Sequence, residues 1–269
     1  MDNGQPRGSC RLRRECAHTR LFETLIDGEA PPFLRGLPTA PRPFIFEPRE
    51  GGRRLAAGEP LRFDLVLLGQ AAELQAFAVL AVERMAAAGL ARARHRFAVE
   101  QVACLEPDGG WREIGGGNGG GGGAAPSATC LPPAELPDPT HATLRFVTPT
   151  RLKIRDHLVT TIGFRALAFA MLRRCLELAH FHVPGAAIDW GFQPLLVAAG
   201  GVRAKTARLR WRDWQRWSNR QGCKMNLGGF VGEMEIEGDL APFAALLRAA
   251  EVLHVGKGAT FGLGRMEIA

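Results

Sequence analysis

The sequence predicts an α+β protein built on antiparallel sheets, with a complete ferredoxin-like order in its second half and a partial one in its first. Residues 142–269 read as strand, helix, two strands, helix, strand. Residues 43–106 read as two strands, a helix and a strand. Between them GGGNGGGGG, residues 115–123, puts eight glycines in nine positions and cannot form a packed element. The 269 residues suffice for two domains, and a 46% hydrophobic content allows each a core. The expected division is a basic irregular segment (1–40), a partial first unit (41–114), a Gly/Pro-rich linker (115–140) and a second unit (141–269).

In the first half, PFIFEP (43–48) and LRFDLVLLG (61–69) read as strands. AAELQAFAVLAVERMAAAG (71–89) is an alanine-rich helix stopped by Gly89, and RHRFAVEQVACLE (94–106) is a strand. A full ferredoxin-like unit would open with a further strand and helix. Residues 1–40 are proline-rich and aperiodic, so the expectation is a chain truncated at its N-terminus, with a first sheet one strand short.

In the second half, ATLRFVTPT (142–150) is a strand ending at Pro149. TIGFRALAFAMLRRCLELAHF (161–181) repeats Leu167, Met171, Leu172, Cys175 and Leu178 at helical spacing, with Arg165, Arg173 and Arg174 elsewhere on the wheel. Pro184 and Gly185 end it. His180 and His182 close this helix, where its dipole favours a cation. ARLRWRDWQRW (207–217) alternates Arg208, Arg210 and Arg212 with Leu209 and Trp211. LGGFVGEMEIEGD (227–239) alternates Glu233, Glu235 and Glu237 with Met234 and Ile236. Cross-strand ion pairs would account for both charged rows. Trp211, Trp214 and Trp217 could stack bases, though packing suffices for at least two of them. LAPFAALLRAAEVLHVG (240–256) is a helix with Pro242 in its first turn and Gly256 as its stop, and RMEIA is a last strand.

The net charge of +7 favours an anionic partner, nucleic acid or membrane surface. No apolar run approaches the roughly 18–20 residues of a membrane span, no secretory signal opens the chain, and no strongly basic amphipathic helix supports a membrane role. The six cysteines are dispersed without a CxxC pair, which points to a reduced cytoplasm. Cys10, Cys16 and His18 have the wrong spacing for a standard zinc half-site, so no metal is expected. RNA-recognition modules share the strand and helix order of the second half, which hints at RNA.

The chain closes on HVGKGATFGLGRMEIA, with glycines at 256, 258, 262 and 264. It is no P-loop: the order is helix, loop, strand, and Lys257 precedes Gly258 rather than Ser or Thr. The dinucleotide fingerprint fails for the same reason. A glycine run still leaves backbone N–H groups accessible to an anion, with Lys257 and Arg265 adding charge. A structural turn explains the glycines equally well.

GKGATFGLGRMEI resembles the C-terminal glycine-rich loop of the RAMP-superfamily CRISPR-associated endoribonucleases that process precursor crRNA. RFVTPTRLK (145–153), WRDWQRWSNRQ (211–221) and NLGGFVGEMEIEGDLAPFAALLRAAEVLHVGKG (226–258) are similar to successive blocks of that family. PRPFIFEP (41–48) and GEPLRFDLVLLGQA (58–71) resemble the middle of its first domain, more loosely. The likeness spans roughly residues 10–269. It implies tandem ferredoxin-like (RRM-like) domains whose cleft takes a repeat RNA, often a hairpin, and a glycine loop that touches the RNA backbone. It implies no cofactor, precursor crRNA as partner, other CRISPR effector subunits as further partners, and no membrane.

The resemblance also implies the chemistry: a ribose 2′-OH attacks the adjacent phosphate without a metal. A base takes the 2′-OH proton, an acid protonates the 5′-oxygen, and a cation steadies the charge on phosphorus. Histidine suits the proton transfers. His18 is the loose equivalent of the family's first-domain histidine, and His157 is the second candidate. Lys153 is the candidate cation. The chain has no tyrosine, so a tyrosine partner is excluded. Arg151, Lys153, Arg216 and Arg220 have no obvious acidic partner nearby in sequence and suit phosphate contacts, with a solvated surface role as the alternative. Gly256, Lys257, Gly258, Gly262, Gly264 and Arg265 are the expected RNA contacts of the loop. His254 is expected to fix that loop. The alternative is a catalytically silent crRNA-binding subunit.

Overall fold

The computed structural model describes residues 15–26, 39–49, 54–91, 93–116, 135–154, 157–189, 191–218 and 222–269. The first half opens with a short helix, α1 (Ala17–Phe22), inside the segment expected to be irregular. Arg20 ties it to Glu73 at 3.1 Å. Strands β1 (Phe44–Pro48) and β2 (Phe63–Leu67) pair antiparallel, with Ile45 opposite Val66. A 3-10 turn (Gly69–Leu74) leads into α2 (Gln75–Ala88), which stops at Gly89 as expected. Gly89 has φ +80, and a Cβ there would strike the Arg94 carbonyl.

The strand expected over 94–106 is shorter: β3 covers only Val102–Leu105. The preceding residues are used in a turn. Leu90 and His95 exchange backbone hydrogen bonds of 2.8 and 2.9 Å, and Arg94 takes φ +54. β3 pairs instead with β4 (Trp111–Gly115) through a tight turn at Gly109, φ +84. Gly115 therefore belongs to a strand rather than to the linker. Among the described residues the first half holds two separate two-stranded sheets.

The second half begins earlier than residue 141. Leu136 is buried in its core, and the Pro139 and Thr140 carbonyls accept from Leu240 and Gly238. β5 (His141–Thr150) is followed by a miniature hairpin, β6 (Lys153–Ile154) and β7 (His157–Leu158). α3 (Phe164–His182) precedes a helix missed by the sequence pattern, α4 (Gln193–Ala198). β8 (Arg203–Arg212), β9 (Gln215–Ser218), β10 (Cys223–Asn226) and β11 (Gly229–Glu237) follow. α5 (Ala244–Leu253) and β12 (Met266–Ile268) end the chain. The sheet runs β12-β5-β11-β8 with every pair antiparallel, the ferredoxin-like order expected.

Alternation places Leu144 and Phe146 of β5 and Met234 and Ile236 of β11 on one face, all buried. Phe164, Leu167 and Met171 of α3 and Leu247 of α5 cover them. Phe146 meets Phe230 edge-on at 5.0 Å. Each such side chain contributes about 1.5–3 kcal/mol by burial. No helix among the described residues is long and apolar enough to cross a membrane.

The strand expected over 207–217 breaks after Arg212. Leu227 N–H donates to the Trp214 carbonyl at 2.6 Å, and the chain re-pairs as β9–β10. At His182 two contacts join the halves. His182 donates from Nε2 to the Pro41 carbonyl at 2.7 Å, and Gly69 packs so closely on the His182 carbonyl that a Cβ would collide. Burial, more than any other influence, lowers the His182 pKa below 6.5, with Arg174 pushing the same way. The dipole-stabilised cation expected there is thus corrected to a neutral, buried ring.

Candidate RNA interface

The glycine loop starts where α5 stops, and the stop is His254 rather than Gly256. His254 has φ 56 and ψ 160, a region almost reserved for glycine. Such strain, about 1–3 kcal/mol, persists only where surrounding contacts enforce it. Here Nδ1 lies 3.1 Å from the Leu263 carbonyl and Nε2 lies 3.0 Å from Glu47 Oε1. The ring thus spans two oxygen partners, the Leu263 carbonyl at one nitrogen and the Glu47 carboxylate at the other. The Glu47 carboxyl is held below its ordinary 4.5, first by this hydrogen bond and less by Arg265 and Arg49. His254 thus fixes the loop, as expected, and fastens it to β1.

Most of the loop's own polar groups are committed. Val255 N–H donates to Gly264, Gly264 N–H to Pro149, and Lys257 N–H to Arg151, at 2.9, 3.1 and 2.9 Å. Gly262 (φ +76) and Gly264 (φ +75) are buried. A Cβ on Gly262 would lie 2.6 Å from the Phe46 carbonyl, and one on Gly264 would overlap the Val255 carbonyl. These two glycines, expected to touch RNA, lie buried, and a side chain at either would meet the protein's own backbone. Lys257 is exposed, and Gly256, Gly258 and Thr260 are half-buried around a buried Ala259. Among the described residues, no acceptor meets the N–H groups of Gly258, Ala259 and Thr260.

Arg151 is the junction. Its carbonyl accepts from Lys257, its backbone bridges to Gly256, and its guanidinium donates to the Asn226 carbonyl at 2.6 Å. It therefore binds the end of β5, the glycine loop and the base of the β9–β10 hairpin into one surface. Its Nε is buried with no acceptor among the described residues, and burial lowers its pKa. Lys153 and His157 lie just beyond on the miniature hairpin, both exposed, with Lys153 opposite Leu158 and His157 opposite Ile154. Arg216 lies on β9 opposite Met225, and Arg220 falls outside the described residues. Arg265 lies 3.2 Å from Glu267, so an internal carboxylate already engages it.

His18 sits apart. It is exposed on α1 with its ring 5.4 Å from Phe22, and nothing among the described residues links it to His157, Lys153 or the loop. Sequence reasoning missed Lys224, exposed on β10 opposite Trp217; its place on the hairpin was hidden until the strand break was known. Cys16 is a half-buried free thiol, and Cys10 lies outside the described residues.

The expected ion-pair ladder is also corrected. Of Arg208, Arg210 and Arg212, only Arg208 stands opposite a glutamate, Glu233; Arg210 faces Val231 and Arg212 faces Gly229. Glu233 bonds Arg145 at 3.0 Å, and Glu237 pairs with Lys205 at 3.6 Å. The register of β8 against β11 puts the two charged rows out of step.

Residues 144–266 match the family model of the CRISPR-associated endoribonuclease Cas6. Residues 3–121 match a separate model of an N-terminal domain. A Cas6 product complex (TTHB231) aligns with a TM-score of 0.54 at 20% identity, covering 88% of this chain and 85% of that one. Thermus thermophilus Cas6 (TTHB231) aligns with a TM-score of 0.50 at 18% identity, covering 84% and 79%. At these identities the likeness concerns the fold. No curated protein matches the chain.

Proposed function

Because residues 144–266 match the Cas6 endoribonuclease family model, we propose that the chain cuts CRISPR repeat RNA within precursor crRNA without a metal. The ribose 2′-oxygen forms a bond to the adjacent phosphorus while the bond to the 5′-oxygen breaks. The 2′-OH proton passes to a base and an acid protonates the leaving oxygen, giving a 2′,3′-cyclic phosphate and a 5′-OH. Lys153 would offset charge on phosphorus. His157, on the same hairpin, and His18 are the candidates for base and acid.

The observation that supports this reading is the Arg151 junction. It sets a basic side chain, the turn Gly258–Thr260, whose N–H groups meet no acceptor among the described residues, and the hairpin base side by side. Open N–H groups beside fixed cations suit a phosphate backbone. The test is incubation of labelled repeat RNA with excess protein in EDTA. One discrete cut is expected, and RNA left intact would contradict the proposal.

A second reading has an observation of its own. Neither His18 nor His157 hydrogen-bonds another titratable group among the described residues. A catalytically silent crRNA-binding subunit, working with other CRISPR effector subunits, fits that geometry. It predicts tight binding of the same RNA with no cut.

A further inference from the structure

We propose that Arg208, Arg210 and Arg212, with Trp214 at their end, form a track for single-stranded RNA lying outside the repeat hairpin. This rests on the RNA-processing reading above and names a second part of the ligand. β8 reads RAKTARLRWR, five basic residues and no acidic one. It is an edge strand of the second sheet. Leu209 packs toward the core, so the three arginines point to the other face, and all three are exposed. An edge strand lined by cations discourages strand-to-strand aggregation, and that alone would be a sufficient structural role. Three features point further.

First, the charge is not neutralised within the fold. Arg210 and Arg212 stand opposite Val231 and Gly229, and the one glutamate in register, Glu233, is held by Arg145. No acidic partner engages Arg208, Arg210 or Arg212 among the described residues. Second, the spacing is regular. Alternate side chains on a strand stand about 7 Å apart, close to the separation of successive phosphates on an extended single strand. A straight row of this kind follows an extended chain better than the curved backbone of an A-form duplex. Third, an aromatic ring follows the row. Trp214 is 40% exposed, whereas Trp211 is half-buried and donates to Asp213 at 2.9 Å. A row of cations followed in the chain by an exposed indole supplies the parts of a single-strand platform.

The track would add affinity for nucleotides flanking the repeat and leave binding of the hairpin itself alone. The test compares two fluorescent RNAs by anisotropy: a blunt repeat hairpin from the host genome, and the same hairpin extended by about eight uridines. The wild type should bind the extended RNA roughly tenfold tighter. R208Q/R210Q/R212Q should lose that difference, and its salt slope on the extended RNA should fall by about 2. It should bind the blunt hairpin as before. R208K/R210K/R212K should keep most of the gain, and Trp214→Ala should lose part of it. A triple glutamine variant that keeps the gain overturns the track alone, and leaves the row as a docking face for an acidic protein. Equal losses on both RNAs also overturn it. A wild type that binds neither RNA overturns the track together with the RNA-processing reading.

Discussion

His254 Nε2 lies 3.0 Å from Glu47 Oε1, and this contact fastens the last loop of the chain to the first strand of the first half. Both residues are removed from solvent, the His254 side chain completely and the Glu47 side chain to 17% exposure. The glycine loop is therefore held by a buried polar contact that crosses more than 200 residues of sequence.

Breaking that contact should cost stability. His254→Ala leaves the Leu263 carbonyl and the Glu47 carboxylate unsatisfied, a loss of about 2–4 kcal/mol in urea unfolding. The pH dependence has a fixed sign. The folded Glu47 pKa lies below 4.5, so the unfolded chain takes up its proton first as pH falls. The stabilisation is complete above pH 4.5 and is lost as pH falls through the folded value. Glu47→Gln should flatten this acid limb while leaving the rest of the profile in place.

The glycines of the loop should differ sharply. Gly264→Ala forces a Cβ into the Val255 carbonyl at φ +75, and a loss of about 3 kcal/mol or more is expected. Gly109 has a similar φ, +84, but nothing within 4 Å. Gly109→Ala should cost only about 1 kcal/mol, the backbone strain alone. Gly258→Ala should fall between them, because the obstacle is the Leu263 side chain at 2.7 Å, which can turn aside. Thermal unfolding of the three variants checks the order.

The second half was legible because each of its long elements buries one face. Glu233 and Glu235 alternate with Met234 and Ile236, and both apolar residues are 0% exposed. α4 was invisible because QPLLVA is too short to show a period. The expected strand over 94–106 failed where Leu90 and His95 close a turn, a pairing that alternation cannot signal. In the site, the role of His254 was readable from its place against the glycines. The roles of Gly262 and Gly264 were not, because Phe46, the partner of Gly262, lies far away in sequence. Likewise the arginine and glutamate rows looked matched, and only the register of β8 on β11 separates them.

Phosphate contacts should reveal themselves through salt. Lys257→Gln and Arg151→Gln should each reduce the slope of log K against log salt for repeat RNA by about 0.7–0.9. Arg151→Gln should weaken binding further, because it also frees the hairpin base at Asn226. Lys257→Gln should leave thermal stability unchanged, as its side chain is exposed. Fluorescence titrations at several salt concentrations decide this.

His18 and His157 are exposed, so their removal should spare the fold. If either carries a proton in the reaction, its alanine variant should lower the single-turnover rate by about 10²–10⁴ with RNA affinity unchanged. Lys153→Ala should lower the same rate by roughly 10² or more. A variant at wild-type rate is removed from the catalytic set.

The most direct test of the account is cleavage of a 5′-labelled repeat RNA by excess protein in EDTA, beside the same RNA with a single 2′-deoxy nucleotide before the cut. The account predicts one discrete product ending in a 2′,3′-cyclic phosphate, and no product from the 2′-deoxy strand. Intact ribose RNA under conditions of tight binding, or cleavage of the 2′-deoxy strand, would contradict it.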